Sequence, residues 1–571
     1  MKAKPVSKAP TPPSTPPHTA PRTPPRTPIA RTTKKKRSKA TTSKKKTQLP
    51  TPEPTPERDD IYSQYVSPLL SYSDARRITT FEQWSSELEP LFEITKIAEA
   101  SFSEVYRLSA ISATTGLREE SVLKVVALKS PAGEPLPCQR SERAVRDMEK
   151  QLAKETEERE EKNWYKSHVA DVLSEVKLLQ NLNYIPGFTN FRDLTVLQGR
   201  PSSAFSDAWK AWNKDRARGK KSCFADPSKK SSYDATQLWA VVEMQDAGID
   251  CEKLMEAGGL GTIWEIWDVF WGVCLSLAKA EEACRFEHRD LHMGNICVRS
   301  SRCARNHVVQ PTIKDPLRRK FRFSGLETTV IDYTLSRADV VAHDRTAPSR
   351  SQDTDTEVAY LDLSKDPALF QGDAAEEYQY EIYRYMRGAA LYNNPLQNEP
   401  TAEPNPAPTT PRRSPRKNTH IRFPASPATP SRTDPDTNPD TAPDTAPDTA
   451  PDTDPDTAPD TNVWRAFHPG TNLVWTHFLL HKLLRHLSGF EPEHLSARDT
   501  MANVELGRDE GVSAAPLRVK AKAVRLHERL QRVGELLCPV KLGREGGLGS
   551  VKELVLYAVG EGWLRVGDVS G

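Results

Sequence analysis

The sequence predicts an α+β chain in two unequal parts, a small strand-rich part followed by a large helical one. Three observations predict it. Between Phe92 and Leu128, apolar residues either alternate with polar ones or run in a short block, as strands do. From Val169 onward they recur mostly at helical spacing. Residues 1–79 and 394–461 are instead dominated by Pro, Thr, Ser and charge. Such segments cannot bury enough apolar surface to offset the entropy of ordering, so both are expected to be disordered.

The elements follow in chain order. Ordered structure is expected from Thr80. Phe92 to Leu108 has the alternation of a hairpin of half-buried strands. Val122-Leu123-Lys124-Val125-Val126-Ala127-Leu128 predicts a further strand. Glu142 to Glu161 is charged and helix-prone, a solvent-facing insertion. Val169, Val172, Val176 and Leu179 share one face of a helix over Val169–Leu182. Leu238 to Met244 reads as a buried strand, and Thr262 to Ala283, with its four aromatics, as a largely buried helix. From Pro435 to Thr461 runs a repeat built on Pro-Asp-Thr, and recurring Pro forbids a packed element there. Trp464–Leu487 and Pro516–Leu537 return to helical spacing. In the latter, Val519, Ala523, Leu526, Leu530, Val533 and Leu537 form one apolar stripe suited to core packing, with Lys and Arg opposite.

Net charge is +3 over 571 residues, so its distribution matters more than its sum. The first fifty residues hold Lys34-Lys35-Lys36-Arg37, Lys39 and Lys44-Lys45-Lys46 and no acid, which suits nuclear import or contact with nucleic acid. The eight cysteines form no Cys-x-x-Cys pair, which argues against zinc and against a disulfide scaffold. The N-terminus has no apolar core of the signal-peptide type, and the longest apolar stretch, Leu473 to Leu484, is broken by His and Lys and too short to span a bilayer. A soluble intracellular protein without a membrane segment is expected.

The chemistry lies in two segments. The first is His288-Arg289-Asp290-Leu291-His292-Met293-Gly294-Asn295; the second, after a short apolar run, is Ile331-Asp332-Tyr333-Thr334. An acid followed five positions on by an amide, then a second acid downstream, is the catalytic layout of a protein kinase. Phosphoryl transfer needs the nucleophile placed in line and the phosphate charge neutralised, with little covalent work by the protein. Asp290 would accept the proton of a substrate hydroxyl. Asn295 and Asp332 would supply oxygens to Mg²⁺, which takes few ligands from protein and the rest from water and phosphate. His288 and Arg289 read as scaffold. Strands first and helices after is the order of a bilobal protein-kinase-like fold. Its N-lobe would be residues 80–247 with insertions, and its C-lobe 248–571 containing the insert at 394–461. The lobe junction would lie at Met244 to Gly248.

A kinase holds the ATP phosphates with a lysine on a strand and holds that lysine with a helical glutamate. Lys124, flanked by apolar residues, is costly to bury unless paired, and Glu175 on the Val169–Leu182 helix is its expected partner. Lys129 is the alternative lysine and Glu161 the alternative glutamate. The phosphate-covering loop should be Ala98-Glu99-Ala100-Ser101-Phe102-Ser103-Glu104-Val105. Here Ala98, Ala100 and Ser103 occupy the three positions where glycine is the rule, while the spacing, Phe102 and Val105 are kept. Ala and Ser resist positive φ, so close backbone approach to phosphate is expected to be limited.

Together these residues resemble the haspin family of atypical eukaryotic serine/threonine protein kinases. The resemblance includes Asp332-Tyr333-Thr334-Leu335-Ser336-Arg337 in place of Asp-Phe-Gly, Gly248-Ile249-Asp250-Cys251-Glu252-Lys253-Leu254, and Asp207-Ala208-Trp209. It continues through Tyr378 to Met386 and resumes at His468-Pro469-Gly470-Thr471-Asn472-Leu473-Val474-Trp475. It covers Phe92 to Leu487 apart from the insert, and no Ala-Pro-Glu motif follows Asp332. The resemblance implies phosphorylation of a threonine in the N-terminal tail of histone H-three in mitosis, on nuclear chromatin, by a monomer using ATP and Mg²⁺. It implies a conformation independent of activation-loop phosphorylation. It places Glu243, Met244, Gln245 and Gly248 along the adenine, with Met244 near the gatekeeper position, and Asp250 at the ribose. An acidic groove for the basic tail would use Glu252, Asp373, Glu376 and Glu377, and Glu381 stands where the family has Asp. A chromatin-bound pseudokinase scaffold and a small-molecule kinase are the competing readings. The altered glycine loop favours the scaffold, and the retained Lys124, Glu175, Asp290, Asn295 and Asp332 speak against it.

Overall fold

In the computed structural model, which describes residues 61–100, 102–111, 118–140, 147–301, 308–341, 356–397, 462–507 and 514–570, a strand-rich sheet occupies the first part of the chain and helices most of the second. The expected basic tail up to residue 60 and nearly all of the Pro-Asp-Thr insert lie outside the described residues.

The N-terminal boundary differs from the expectation of Thr80. Ile61–Leu70 forms helix α1, with Val66 and Leu69 fully buried. Phe81–Leu88 forms α2, whose first turn is capped by the Thr80 hydroxyl accepting from the Gln83 amide. The Pro-rich run before α1 obscures it in the sequence. Then come strands β1 (Glu93–Glu99), β2 (Ser103–Ile111) and β3 (Arg118–Ala127), the exposed helix α3 (Met148–Asn163), and α4 (Val169–Leu182). The strand β4 (Phe191–Gln198) and helix α5 (Ser203–Lys214), which the sequence reading did not single out, precede β5 (Leu238–Gln245). The sheet runs in the order Thr79–Thr80, β4, β5, β3, β2, β1 and is antiparallel except for its first pair.

Alternation of side chains across the strands gives the sheet two apolar faces. Leu123, Val125, Trp239 and Val241 pack on one side with Tyr106, Phe81 of α2 and Phe205 of α5. Val126, Ala240, Val242, Leu194 and Val196 face the other way and join Val172, Val176 and Leu179 of α4 in the main core. That core continues through α6 (Cys251–Glu256) and α7 (Ile263–Cys284), the latter opened by a capping box between Thr262 and Glu265. A hairpin of β6 (Ile296–Ser300) and β7 (Leu326–Val330) follows, then α8 (Gln379–Tyr392), α9 (Gly470–Leu487), α10 (Ala515–Leu536) and α11 (Val551–Gly560). The stripe from Val519 to Leu537 on and just past α10 is buried, as its spacing predicts. Residues 394–397, expected to open the disordered insert, instead form a turn on α8: a Cβ at Gly388 would come within 2.7 Å of the Asn394 and Pro395 carbonyls. No helix among the described residues is long and apolar enough to cross a membrane.

Candidate active site

Strand pairing explains why two segments forty residues apart in sequence meet. In the β6–β7 hairpin, Ile296 stands opposite Val330, and the Ile331 amide donates to the Asn295 carbonyl at 3.0 Å. At the other end, Glu287 and Arg337 exchange backbone hydrogen bonds of 2.8 and 2.9 Å. The loops 288–295 and 331–336 are therefore framed side by side. Arg289 and Asp332 both take φ of 63°, a conformation that ordinary residues hold only when their surroundings over-determine it. For Arg289 those surroundings are the Glu287 carboxylate at 3.1 Å and the Trp464 carbonyl at 2.8 Å, all fully or nearly fully buried.

His288 ties the two loops together. Its Nδ1 accepts from the Asp290 amide at 3.3 Å and its Nε2 faces the Ile331 carbonyl at 3.1 Å. These partners fit the neutral ring with the proton on Nε2, and burial pushes its pKa down to about 4. Tyr333 is fully buried: its hydroxyl donates to the Val330 carbonyl at 2.7 Å and accepts from the Thr189 amide at 3.2 Å. Asp332 is thus anchored on both sides.

Sheet register assembles the second half of the site. Ala98 pairs with Val105, Val105 with Lys124, and Lys124 with Val242, so these four side chains form one row on the same face. Lys124 Nζ lies 2.5 Å from Glu175 Oε1 and 3.3 Å from Asp332 Oδ1. Burial works against the Lys124 charge, but the carboxylates of Asp332 and Glu175 outweigh it and hold the lysine above its usual range. Burial likewise lifts Asp332, yet Lys124 and the Thr334 hydroxyl, 2.6 Å away, hold that carboxyl well below the usual carboxylate range. Glu175 is raised by burial, with the Lys124 charge opposing the shift. Neither alternative enters this corner. The Lys129 ammonium meets His168 Nε2 at 2.7 Å, and Glu161 lies on the exposed helix α3.

Asp290 sits at the mouth of its loop. Asn295 Nδ2 donates to the Asp290 carbonyl at 2.8 Å and approaches its Oδ2 at 3.4 Å. His292 Nε2 lies 3.6 Å from the same Oδ2. On the other oxygen, the Tyr383 hydroxyl donates to Oδ1 at 2.6 Å and Gln379 Nε2 at 3.4 Å. His292, Gln379 and Tyr383 carry no role in the sequence reading. The available signal was the i, i+4 spacing of Gln379 and Tyr383 within the Tyr378–Met386 stretch.

The glycine-free loop is held by side chains rather than by glycine conformations. Among its described residues none has positive φ, and the Ala100 amide closes a turn on the Ser103 carbonyl at 2.9 Å. Lys96, its side chain fully buried, pairs with Glu99 at 2.7 Å and with Glu104. Its ammonium is ringed by Trp212 at 4.8 Å, Phe224 at 5.7 Å, Trp209 at 5.8 Å and Tyr106 at 5.9 Å. Glu99 also accepts from the Ser222 hydroxyl and the Cys223 amide. The segment after α5 therefore straps the tip of the β1–β2 hairpin.

Other expected contacts divide. Gly248 has φ of 101°, and a Cβ there would stand 2.2 Å from the Val298 carbonyl, so only glycine fits this crossing from sheet to helices. Met244 pairs with Val122 on the Lys124 face, and the Gln245 amide donates to Asn190. The Glu243 side chain is on the opposite face with Leu123, where its carboxylate meets Arg192 at 3.4 Å, so any adenine contact from this residue would come from its main chain. Asp250 caps α6, accepting from the Lys253 amide at 2.8 Å. Of the substrate-groove candidates, Glu252, Asp373 and Glu376 are exposed and Glu377 is half-buried, while Glu381 is paired with Arg384 at 2.5 Å.

The donor set fits a magnesium nucleotide. Asp332 is ionised, Asn295 is beside it in the adjoining loop, and Lys124 offers a fixed cation. The buried Ser103 hydroxyl, in the loop facing that row, has no hydrogen-bond partner among the described residues and could donate to a phosphate. Asp332 and Asn295 would be the metal's few protein ligands, a set that suits Mg²⁺, which takes the rest of its oxygens from phosphate and water.

A sequence-family profile described as a haspin-like kinase domain matches residues 18–398. The chain is 29% identical over 309 residues to the serine/threonine-protein kinase haspin homolog hrk1 of Schizosaccharomyces pombe, covering 52% of this chain and 50% of that protein. It is 28% identical over 218 residues to serine/threonine-protein kinase haspin of Bos taurus, covering 38% and 24%. It is 29% identical over 213 residues to the haspin homolog of Drosophila melanogaster, covering 37% and 32%. The matches thus span from about a quarter to half of these relatives' own length.

Proposed function

The chain belongs to the haspin-like kinase family, and from that premise we propose that it is an ATP-dependent serine/threonine protein kinase of two-lobed build that phosphorylates a threonine in the N-terminal tail of histone H-three in mitosis. The observation that carries this reading is the convergence of Lys124, Glu175 and Asp332 in one ionic corner, with Asn295 and Asp290 in the loop framed against it. ATP with Mg²⁺ would supply the phosphoryl group and the charge that neutralises it, held by Asp332 and Asn295. Lys124 would hold the phosphates and Glu175 the lysine. Ala98, Ala100, Ser103 and Val105 would cover them, and the main chain from Glu243 to Gly248, with Asp250, would seat the nucleoside. Asp290 would take the proton of the substrate hydroxyl.

Glu252, Asp373, Glu376 and Glu377 would draw in a basic tail by charge complementarity, which governs encounter and register more than affinity. The Lys-rich first fifty residues suit chromatin, and with it a nuclear location and action as a monomer. In the test, purified protein is incubated with Mg²⁺-ATP and a histone H-three N-terminal peptide. Labelling on threonine by the wild type and none by Asp290→Asn is expected; equal labelling by both would refute the base assignment. Nucleotide binding without labelling would favour a scaffold, the second reading that the missing glycines motivate.

A further inference from the structure

We propose that Tyr383 and Gln379 are positioning residues for Asp290: from α8 they hold its Oδ1 and so fix the orientation in which the carboxylate meets the substrate hydroxyl. The inference rests on the reading of Asp290 as the base and deepens it.

The two carboxylate oxygens of Asp290 are treated differently. Oδ1 receives the Tyr383 hydroxyl at 2.6 Å and the Gln379 amide at 3.4 Å, and Gln379 Nε2 also reaches the Tyr383 oxygen at 3.1 Å. An O–H donor at that distance from a carboxylate is in the range of charge-assisted hydrogen bonds. Oδ2 lies 3.4 Å from Asn295 Nδ2 and 3.6 Å from His292 Nε2.

The holders are rigid. Tyr383 and Gln379 are both buried, one helical turn apart on the same face of α8. The Tyr383 ring packs edge-on against Trp475 of α9 at 5.2 Å. The Asp290 backbone is fixed separately, its amide on His288 and its carbonyl on Asn295. Without the Tyr383 donor the side chain retains freedom about its Cα–Cβ bond, and misorientation of a base costs rate rather than affinity.

The experiment compares wild type, Tyr383→Phe, Gln379→Leu and Asp290→Asn with Mg²⁺-ATP and the histone peptide, measuring kcat and both KM values. Tyr383→Phe keeps the ring on Trp475. It is expected to lower kcat about ten- to a hundredfold with little change in either KM, the size of a lost hydrogen bond to a charged group. Gln379→Leu should lower kcat the same way by less, again with little change in either KM. A Tyr383→Phe protein with wild-type kcat, or with a raised KM alone, overturns the proposal. If that variant does not fold, Gln379→Leu decides by the same readouts, a lowered kcat at unchanged KM supporting the proposal and a wild-type kcat overturning it. An Asp290→Asn protein as active as wild type removes the base itself, and so is distinguishable from failure of its positioning.

Discussion

Two loops build the candidate site, and they are held in shape by opposite means. The loop 288–295 is fixed from within the fold: it is framed by paired strands, and His288, Arg289, His292 and Asn295 in it are buried. The loop between β1 and β2 has lost the glycines that would let it wrap a phosphate, and its shape comes from outside, through Lys96 and the strap at Ser222 and Cys223. The difference is instructive because absence of glycine would ordinarily argue for a degraded nucleotide site. A loop whose described residues need no positive φ has no use for glycine, and a caged lysine can supply the order instead.

This comparison can be broken in several places, beginning with the largest effect. Lys124→Ala leaves Glu175 and Asp332 without their shared cation in a buried corner. Removing one partner of a buried pair costs about 3 to 5 kcal/mol, so a lower melting temperature and near-complete loss of ATP use are expected together. Retained kinase activity in that variant would remove the lysine from the phosphate site. Lys96→Met tests the other loop. Glu104 would stay buried without its cation, keeping only the Tyr106 hydroxyl among its described partners, at a cost of about 3 kcal/mol, and the tip would loosen, raising KM for ATP more than it lowers kcat. An unchanged KM would show that the cage serves stability alone.

A smaller effect concerns pH. Asp332 is held below its ordinary value of 3.8, so its contribution to stability is present above that value and is lost only as pH falls through the lower folded-state value. Lys124 is held above 10.5, so its contribution is present below 10.5 and lost as pH rises through the higher folded-state value. The gap in melting temperature between wild type and Asp332→Asn should therefore stay constant from about pH 5 to 9. A gap that closes between pH 7 and 5 would mean that burial, not Lys124, governs the carboxyl. The smallest effect is expected for Lys129→Ala, whose ammonium meets only the ring of His168 among its described side-chain partners; ATP kinetics within about twofold of wild type are expected.

The same contrast explains what the sequence made legible. Asp290, Asn295 and Asp332 stand at fixed offsets in two short segments, and Lys124 is a charge inside an apolar strand, so each could be picked out by position. Glu175 followed because it shares a helical face with buried valines. Gln379 and Tyr383 reach Asp290 from about ninety residues away, and only the folded chain brings them within hydrogen-bond distance. The Lys96 cage draws its aromatic residues from β2, α5 and the strap, each of which alone reads as ordinary core or surface. Helix α1 escaped notice because a Pro-rich run leads into it.

The account depends most on oxygen ligands from two adjacent loops gathering a metal–nucleotide complex, and calorimetric titration of ATP with and without Mg²⁺ measures that directly. Wild type should bind ATP more tightly with Mg²⁺, whereas Asp332→Asn should keep the metal-free affinity and lose the enhancement. An enhancement undiminished in Asp332→Asn would contradict it.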